Sequence, residues 1–177
     1  MSAGREKRRF FANLQNGLPG NGTKYSQIME IGQRLPEILG KDQDGKEWKL
    51  SDFKGKKLVL YIYPKDNTPG CTSEACSLRD SYQALLDQGY AILGVSVQDA
   101  ASHRKFIDKF TLPFPLIADT DRKLVNALGV WGEKSLYGRK YMGAFRTTFV
   151  TDTEGVITRI FTPKEIKVKE HAGQILG

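Results

Sequence analysis

The chain's only two cysteines fall within one short stretch, Tyr61-Ile62-Tyr63-Pro64-Lys65-Asp66-Asn67-Thr68-Pro69-Gly70-Cys71-Thr72-Ser73-Glu74-Ala75-Cys76. The thiolate, not the thiol, is the nucleophile of cysteine chemistry, so a reactive site needs something that ionises one of them. Pro69-Gly70 marks a turn, and Ala75, Leu78, Tyr82, Leu85 and Leu86 recur downstream at helical spacing. Cys71 then sits at or near a helix N-terminus. Unpaired N–H groups and the positive end of the helix dipole favour a charged sulfur there. That is a route to a thiolate without a metal. A four-ligand zinc site would need Cys71, Cys76 and the only histidines, His103 and His171, at an unusual spacing and without any Cys-x-x-Cys. No metal and no other cofactor is expected.

The elements that must position this stretch follow from pattern. Upstream, residues 57–63 form an apolar, β-branched and aromatic run, which predicts a buried strand ended by Pro64. The helix after it is expected to run to Gln88-Gly89, with glycine as its stop. Residues 90–97 predict a second buried strand, Ala100 to Phe110 a helix with His103 exposed on it, and 114–118 a short strand. Asp119 to Leu128 reads as a helix capped by Asp119 or Thr120. Residues 143–151 and 156–161 flank Asp152-Thr153-Glu154-Gly155 as a hairpin, and Val168 to Leu176 is a closing helix. Earlier in the chain, Asp44-Gly45 signals a hairpin turn between 35–39 and 47–50, followed by a loop or single helical turn at 51–55. Strands alternating with helices imply an α/β sheet covered on both faces. Trp48 and Trp131 are read as packing residues, and the segment Lys134 to Met142 as a candidate lining for the pocket mouth.

Composition excludes other classes. At 177 residues one domain is expected, and the longest apolar runs are far short of a membrane span. Net charge is +7, of which residues 1–28 carry +4. The basic character thus owes much to one tail, and nucleic acid is not an expected partner. That segment, with Arg5-Glu6-Lys7-Arg8-Arg9 and the turn-rich 16–22, reads as a disordered extension or a start upstream of Met29, with a transit-like peptide as a third reading. Residues 29–177 then form the folded domain. With no secretory h-region in sight, a reducing, cytoplasmic setting is the default.

The pattern Pro64-x-x-x-Thr68-x-x-Cys71 resembles the active-site signature of peroxiredoxins. With Gly70-Cys71-Thr72-x-x-x-Cys76 and the later Arg146-Thr147-Thr148-Phe149, it is similar to the PrxQ, or bacterioferritin comigratory protein, group. The likeness runs from about Ile31 to the C-terminus. It implies a thioredoxin-like fold with an added N-terminal hairpin, which the 35–50 region fits. It also implies a thiol peroxidase reducing hydrogen peroxide and organic hydroperoxides, recycled by thioredoxin or a glutaredoxin-like dithiol. Carried over residue by residue, Cys71 is the peroxidatic cysteine that becomes a sulfenic acid, and Arg146, from a neighbouring strand, supports the thiolate and holds the peroxide. Thr68 accepts from the thiol or donates to peroxide, and Pro64 shields the sulfur from water. Glu74 is either a first-turn acid matching the helix dipole or the acid that orients the arginine.

The resemblance makes Cys76 the resolving cysteine, closing a Cys71–Cys76 disulfide. Geometry adds a constraint. Five residues of helix put Cα atoms roughly 8–9 Å apart, whereas a disulfide needs about 4.4–6.8 Å. The helix must unwind for the bond to form. Intrachain resolution needs no partner subunit, so a monomer is expected. A redox sensor using the same thiol is the competing reading. A disulfide reductase is disfavoured because Cys-x-x-Cys is absent.

Overall fold

The alternation along β3 (Lys57–Ile62) sets the architecture. Leu58, Leu60 and Ile62 face one apolar cluster, with Leu39, Phe53, Leu93, Val125 and Phe149. Val59 and Tyr61, with Tyr63 just beyond, face another that holds Cys71, Ala75, Leu78, Leu85 and Phe106. A strand buried on both faces reads as a continuous apolar run, and it lies at the centre of its sheet.

This computed structural model describes residues 27–177. The expectations placed on the basic tail fall on residues 1–26 and lie outside the described residues. The described chain is already packed where it begins. Ile28 lies against the core, and the Met29 N–H donates to the Leu128 carbonyl at 3.1 Å.

The chain continues through a hairpin of β1 (Ile38–Lys41) and β2 (Glu47–Lys49), a 3-10 turn at Leu50–Phe53, β3, α1 (Pro69–Asp80), α2 (Tyr82–Asp87) and β4 (Tyr90–Ser96). Then come α3 (Ala100–Phe110), β5 (Leu116–Ala118), α4 (Lys123–Ala127), β6 (Trp131–Leu136) and β7 (Arg139–Ala144). The last elements are β8 (Thr147–Thr151), β9 (Ile157–Phe161) and α5 (His171–Leu176). The central sheet has the order β5-β4-β3-β8-β9. β3, β4 and β5 are parallel, while β8 and β9 run against them. α1, α2, α3 and α5 contribute to the cluster on the Tyr61 face. α4 and the β1–β2 hairpin contribute to the cluster on the opposite face.

Four expectations need correction. The helix after Cys71 is broken at Ser81, where φ is −105° and ψ is 14°, so α1 and α2 are separate. The helix expected from Asp119 begins only at Lys123. Asp119 still serves it, accepting the N–H groups of Leu124 and Val125 at 3.1 and 2.9 Å across a turn that sets Arg122 at φ +62°. The strand expected over 143–151 is two strands, β7 and β8, and β7 pairs with β6 in a hairpin turned at Tyr137-Gly138, both with positive φ. Tyr-Gly is a weak hairpin signal beside Asn-Gly or Asp-Gly, and the outer part of this hairpin is exposed, so no core-facing run marks it. Finally, His103 is 0% exposed rather than on the helix surface. Trp48 packs as expected, stacked on Phe53 with centroids 5.3 Å apart.

Candidate active site

Thr68 is the N-cap of α1 and Pro69 its first residue, which makes Cys71 the third. Proline is suited to that first position because its missing N–H would have had no helical partner. The N–H of Cys71 is among those left without an intrahelical carbonyl. The sulfur is buried, 1% exposed, against the Tyr61 and Tyr63 face of β3. Thr68 does not cap the helix with its side chain; its hydroxyl donates to the Lys65 carbonyl at 2.8 Å. That leaves the Thr68 oxygen free to accept but not to donate. Pro64 is half-buried at the start of the same loop.

Arg146 lies in the break between β7 and β8, not within a strand. Its Nη2 donates to Cys71 Sγ at 3.2 Å, and its Nη1 donates to Glu74 Oε2. The guanidinium also passes over Gly70, where a Cβ would lie 3.3 Å from Nη2. Glu74, one helical turn beyond Cys71, is fully buried. Burial pushes its carboxyl up to about 7 despite the arginine. Its other oxygen, Oε1, has no hydrogen-bond partner. His171 Nε2, from α5, is 3.8 Å from that oxygen, too far to bond it. Burial pulls the imidazole down to about 4, so it is neutral near pH 7. With Nδ1–H donating to Gln174 Oε1 at 3.0 Å, Nε2 accepts from the Thr148 hydroxyl at 2.8 Å and has no proton to offer Glu74.

Cys76 lies further along α1, half-buried, and both thiols are free. The two cysteines therefore share one uninterrupted helix, the arrangement in which the spacing forbids a bond between them. Among the described residues, no cluster of His, Cys, Asp and Glu could hold a metal ion, and no helix is long and apolar enough to cross a membrane.

Residues 31–160 match the AhpC/TSA family. The peroxiredoxin Bcp of Bacillus subtilis is 45% identical over 148 residues, covering 84% of this chain and 93% of that protein. The chain belongs to the AhpC/TSA family, among its peroxiredoxins. Solved structures share the fold. Xylella fastidiosa PrxQ aligns with a TM-score of 0.76 at 32% identity, covering 84% of this chain and 93% of that one. The Xanthomonas campestris bacterioferritin comigratory protein, studied for its alkyl peroxide reduction activity, aligns with a TM-score of 0.73 at 33% identity over 83% of this chain and 95% of that one. The thioredoxin-like fold and the PrxQ resemblance expected from the sequence are both borne out. As a peroxiredoxin, the chain is a thiol-based oxidoreductase of the peroxidase class.

Sequence reasoning missed two groups. The first is Asp66 and His103, a pair 2.6 Å apart just behind the loop of Thr68. Asp66 also accepts from the Tyr63 hydroxyl at 2.6 Å and the Ser102 hydroxyl at 2.7 Å, and its N–H donates to Gln98. The second is Lys134 on β6, read only as part of a pocket-lining segment. The mirrored glycines Gly132 and Gly143 about Tyr137-Gly138 are the signal that would have given the hairpin register and placed Lys134 opposite Tyr141.

Proposed function

We propose that the protein is a thioredoxin-dependent peroxidase acting on hydrogen peroxide and organic hydroperoxides, with Cys71 as nucleophile and Cys76 as resolving cysteine. The observation that carries this reading is Arg146, whose Nη2 lies 3.2 Å from Cys71 Sγ while Nη1 is held by buried Glu74. A fixed cation beside a sulfur at a helix start stabilises the thiolate and stands ready for an anionic leaving group.

The Cys71 thiolate attacks one peroxide oxygen, the O–O bond breaks, and the other oxygen leaves as hydroxide or alkoxide to be protonated. Sulfur is oxidised to sulfenic acid and the peroxide is reduced. Thr68 contributes an acceptor oxygen for the hydroxyl of an incoming hydroperoxide. Pro64 limits water at the sulfur, and Glu74 orients Arg146. The Cys76 thiol then displaces water from the sulfenic acid, forming a Cys71–Cys76 disulfide. An external dithiol reduces that bond and is itself oxidised.

The second step has a structural cost. Cys71, Glu74, Ala75 and Leu78 are all buried on α1. Bringing the sulfurs together unwinds the first turns of α1 and takes Glu74 off Arg146, so attack and resolution use different states of one helix. No subunit partner takes part, which suits a monomer, and a dithiol reductant suits a reducing, cytoplasmic setting.

The test is peroxide consumption with thioredoxin and its reductase on wild type, Cys71→Ser and Cys76→Ser. Wild type turns over, Cys71→Ser is inactive, and Cys76→Ser consumes one equivalent and then stalls. Full activity in Cys71→Ser contradicts the assignment of the nucleophile. Normal recycling in Cys76→Ser contradicts that of the resolving thiol. A single turnover in wild type supplied with the complete reductant system favours a sensor instead.

A further inference from the structure

Lys134 is half-buried on β6, and among the described residues it pairs with no carboxylate. Its neighbour Glu133 pairs instead with Lys140 at 3.2 Å. The Lys134 ammonium donates to the Ala144 carbonyl at 2.9 Å, two residues before Arg146. Its stem crosses Gly143, where a Cβ would lie 2.9 Å from Lys134 Cδ, so glycine keeps that path open. The rings of Tyr141 and Phe145 stand 6.0 and 5.9 Å from the ammonium. The ammonium thus sits on the backbone just before Arg146, whose Nη2 reaches Cys71 Sγ at 3.2 Å. Partial burial and the charge of Arg146 pull the Lys134 pKa down, and charge on Cys71 pushes it part of the way back up. A desolvated cation without a counter-ion is unfavourable unless an anion arrives.

The charges around Cys71 show which anion that is. Tyr61 and Tyr63 on β3 stay neutral, because burial holds both phenols well above their ordinary value. His171 on α5 is neutral near pH 7. Arg146 is a cation and Glu74 on α1 is its partner. Without Lys134, an ionised Glu74 and a Cys71 thiolate would share one guanidinium in a buried site. Near pH 7, where Glu74 is ionised only in part, Lys134 adds a second cation for the thiolate.

We infer that Lys134 is a second cation of the thiol site, supplying counter-charge to the Cys71 thiolate beside Arg146. This rests on the reading of Cys71 as the reacting thiolate. It acts through the sulfur's charge, as a positioning residue.

The experiment follows alkylation of Cys71 by iodoacetamide from pH 5.5 to 9, in a Cys76→Ser background that leaves one thiol. Lys134→Gln keeps a donor for the Ala144 carbonyl but removes the charge, and Lys134→Arg keeps the charge. A unit charge acting across a partly buried gap changes an ionisation equilibrium by about tenfold. Lys134→Gln is therefore expected to slow alkylation by about tenfold at the acidic end of the range and progressively less toward pH 9, as rising pH itself drives ionisation. Lys134→Arg and the exposed control Lys140→Gln are expected to track the parent. Coincident profiles for Lys134→Gln and its parent overturn the inference. A uniform slowing at every pH also overturns it, as it reports lost packing. If the parent itself reacts no faster than a free cysteine, the reading of Cys71 fails first. Circular dichroism of each variant checks the fold, and Lys134→Met, which lacks the donor too, separates charge from hydrogen bond.

Discussion

Two buried carboxylates, each near a buried histidine, lie on α1 and in the loop before it, and they differ in how completely they are satisfied. Asp66 accepts from Tyr63, Ser102 and His103, while His103 Nε2 faces the Ile117 carbonyl at 2.9 Å. Both nitrogens of His103 thus face acceptors, and every side chain of this group has a partner. Despite its burial, hydrogen bonds and charge from His103 keep the Asp66 carboxyl below its ordinary value. Glu74 has one arginine, an orphaned oxygen and a neutral histidine beyond bonding distance. One site is closed and fixes the loop that precedes α1. The other is left short of partners on the helix proposed to unwind.

The largest expected effect tests the closed site. Removing one partner of a buried hydrogen-bonded network built on a carboxylate costs about 3–5 kcal/mol, because the groups left behind are unpaired. Asp66→Ala and His103→Ala are expected to lose that much in urea unfolding, with turnover of the folded fraction near wild type. A stable but inactive Asp66→Ala would reverse the roles assigned to the two sites. Next in size, Arg146→Met removes the donor at the sulfur, and turnover is expected to fall about 10²–10³-fold, as when one preorganised donor is lost. Retention of most activity would remove Arg146 from the chemistry.

The open site makes a pH prediction with two opposing parts. Glu74 is raised from 4.5 to about 7, so the folded state binds its proton more tightly than the unfolded chain. Its contribution is full below about 4.5 and is lost as pH rises through about 7. His171 is lowered from 6.5 to about 4, so its contribution is full above 6.5 and is lost as pH falls through about 4. Between those limits the two slopes offset each other, and wild-type stability is expected to be nearly flat. Glu74→Gln uncovers a loss on acidification, and His171→Asn uncovers a loss on alkalinisation. Chemical denaturation at pH 4.5, 5.5, 6.5 and 7.5 measures both; parallel curves for wild type and Glu74→Gln would show that Glu74 is not perturbed.

The smallest effect is at Gly70. Gly70→Ala removes backbone entropy from the unfolded chain at a helical position, worth about 0.5–1 kcal/mol of stability. Its Cβ would crowd Arg146 Nη2, and a shift of a few tenths of an ångström is expected to lower turnover by about threefold. A variant that is both more stable and fully active would show that the guanidinium has slack.

Much of this was legible in the residues because local pattern and global fold agree. The run at 57–63, the stop at Gly89 and the hairpin through Gly155 are dictated by burial and by turn chemistry. Cys71, Cys76, Thr68, Pro64 and Glu74 lie within thirteen consecutive positions, so spacing alone groups them. Arg146 needed the resemblance, since nothing local distinguishes an arginine between two strands. Asp66, His103 and His171 were not legible, because their meaning lies in which polar atom meets which across the fold. His103 stands three residues before Phe106 and seven before Phe110, so helical spacing puts it on the buried face, and only its polar side chain disguised it. Lys134 was hidden by an exposed hairpin that offers no core-facing pattern.

The most direct test of the account is the mass of the peroxide-treated protein, mapped to the peptide holding both cysteines. With Cys76→Ser and one equivalent of hydrogen peroxide, the account predicts a gain of one oxygen atom on Cys71. Wild type is predicted to lose two hydrogens as a Cys71–Cys76 disulfide, and Cys71→Ser to remain unchanged. Oxygen on any other residue, or disulfide formation only between chains, would contradict it.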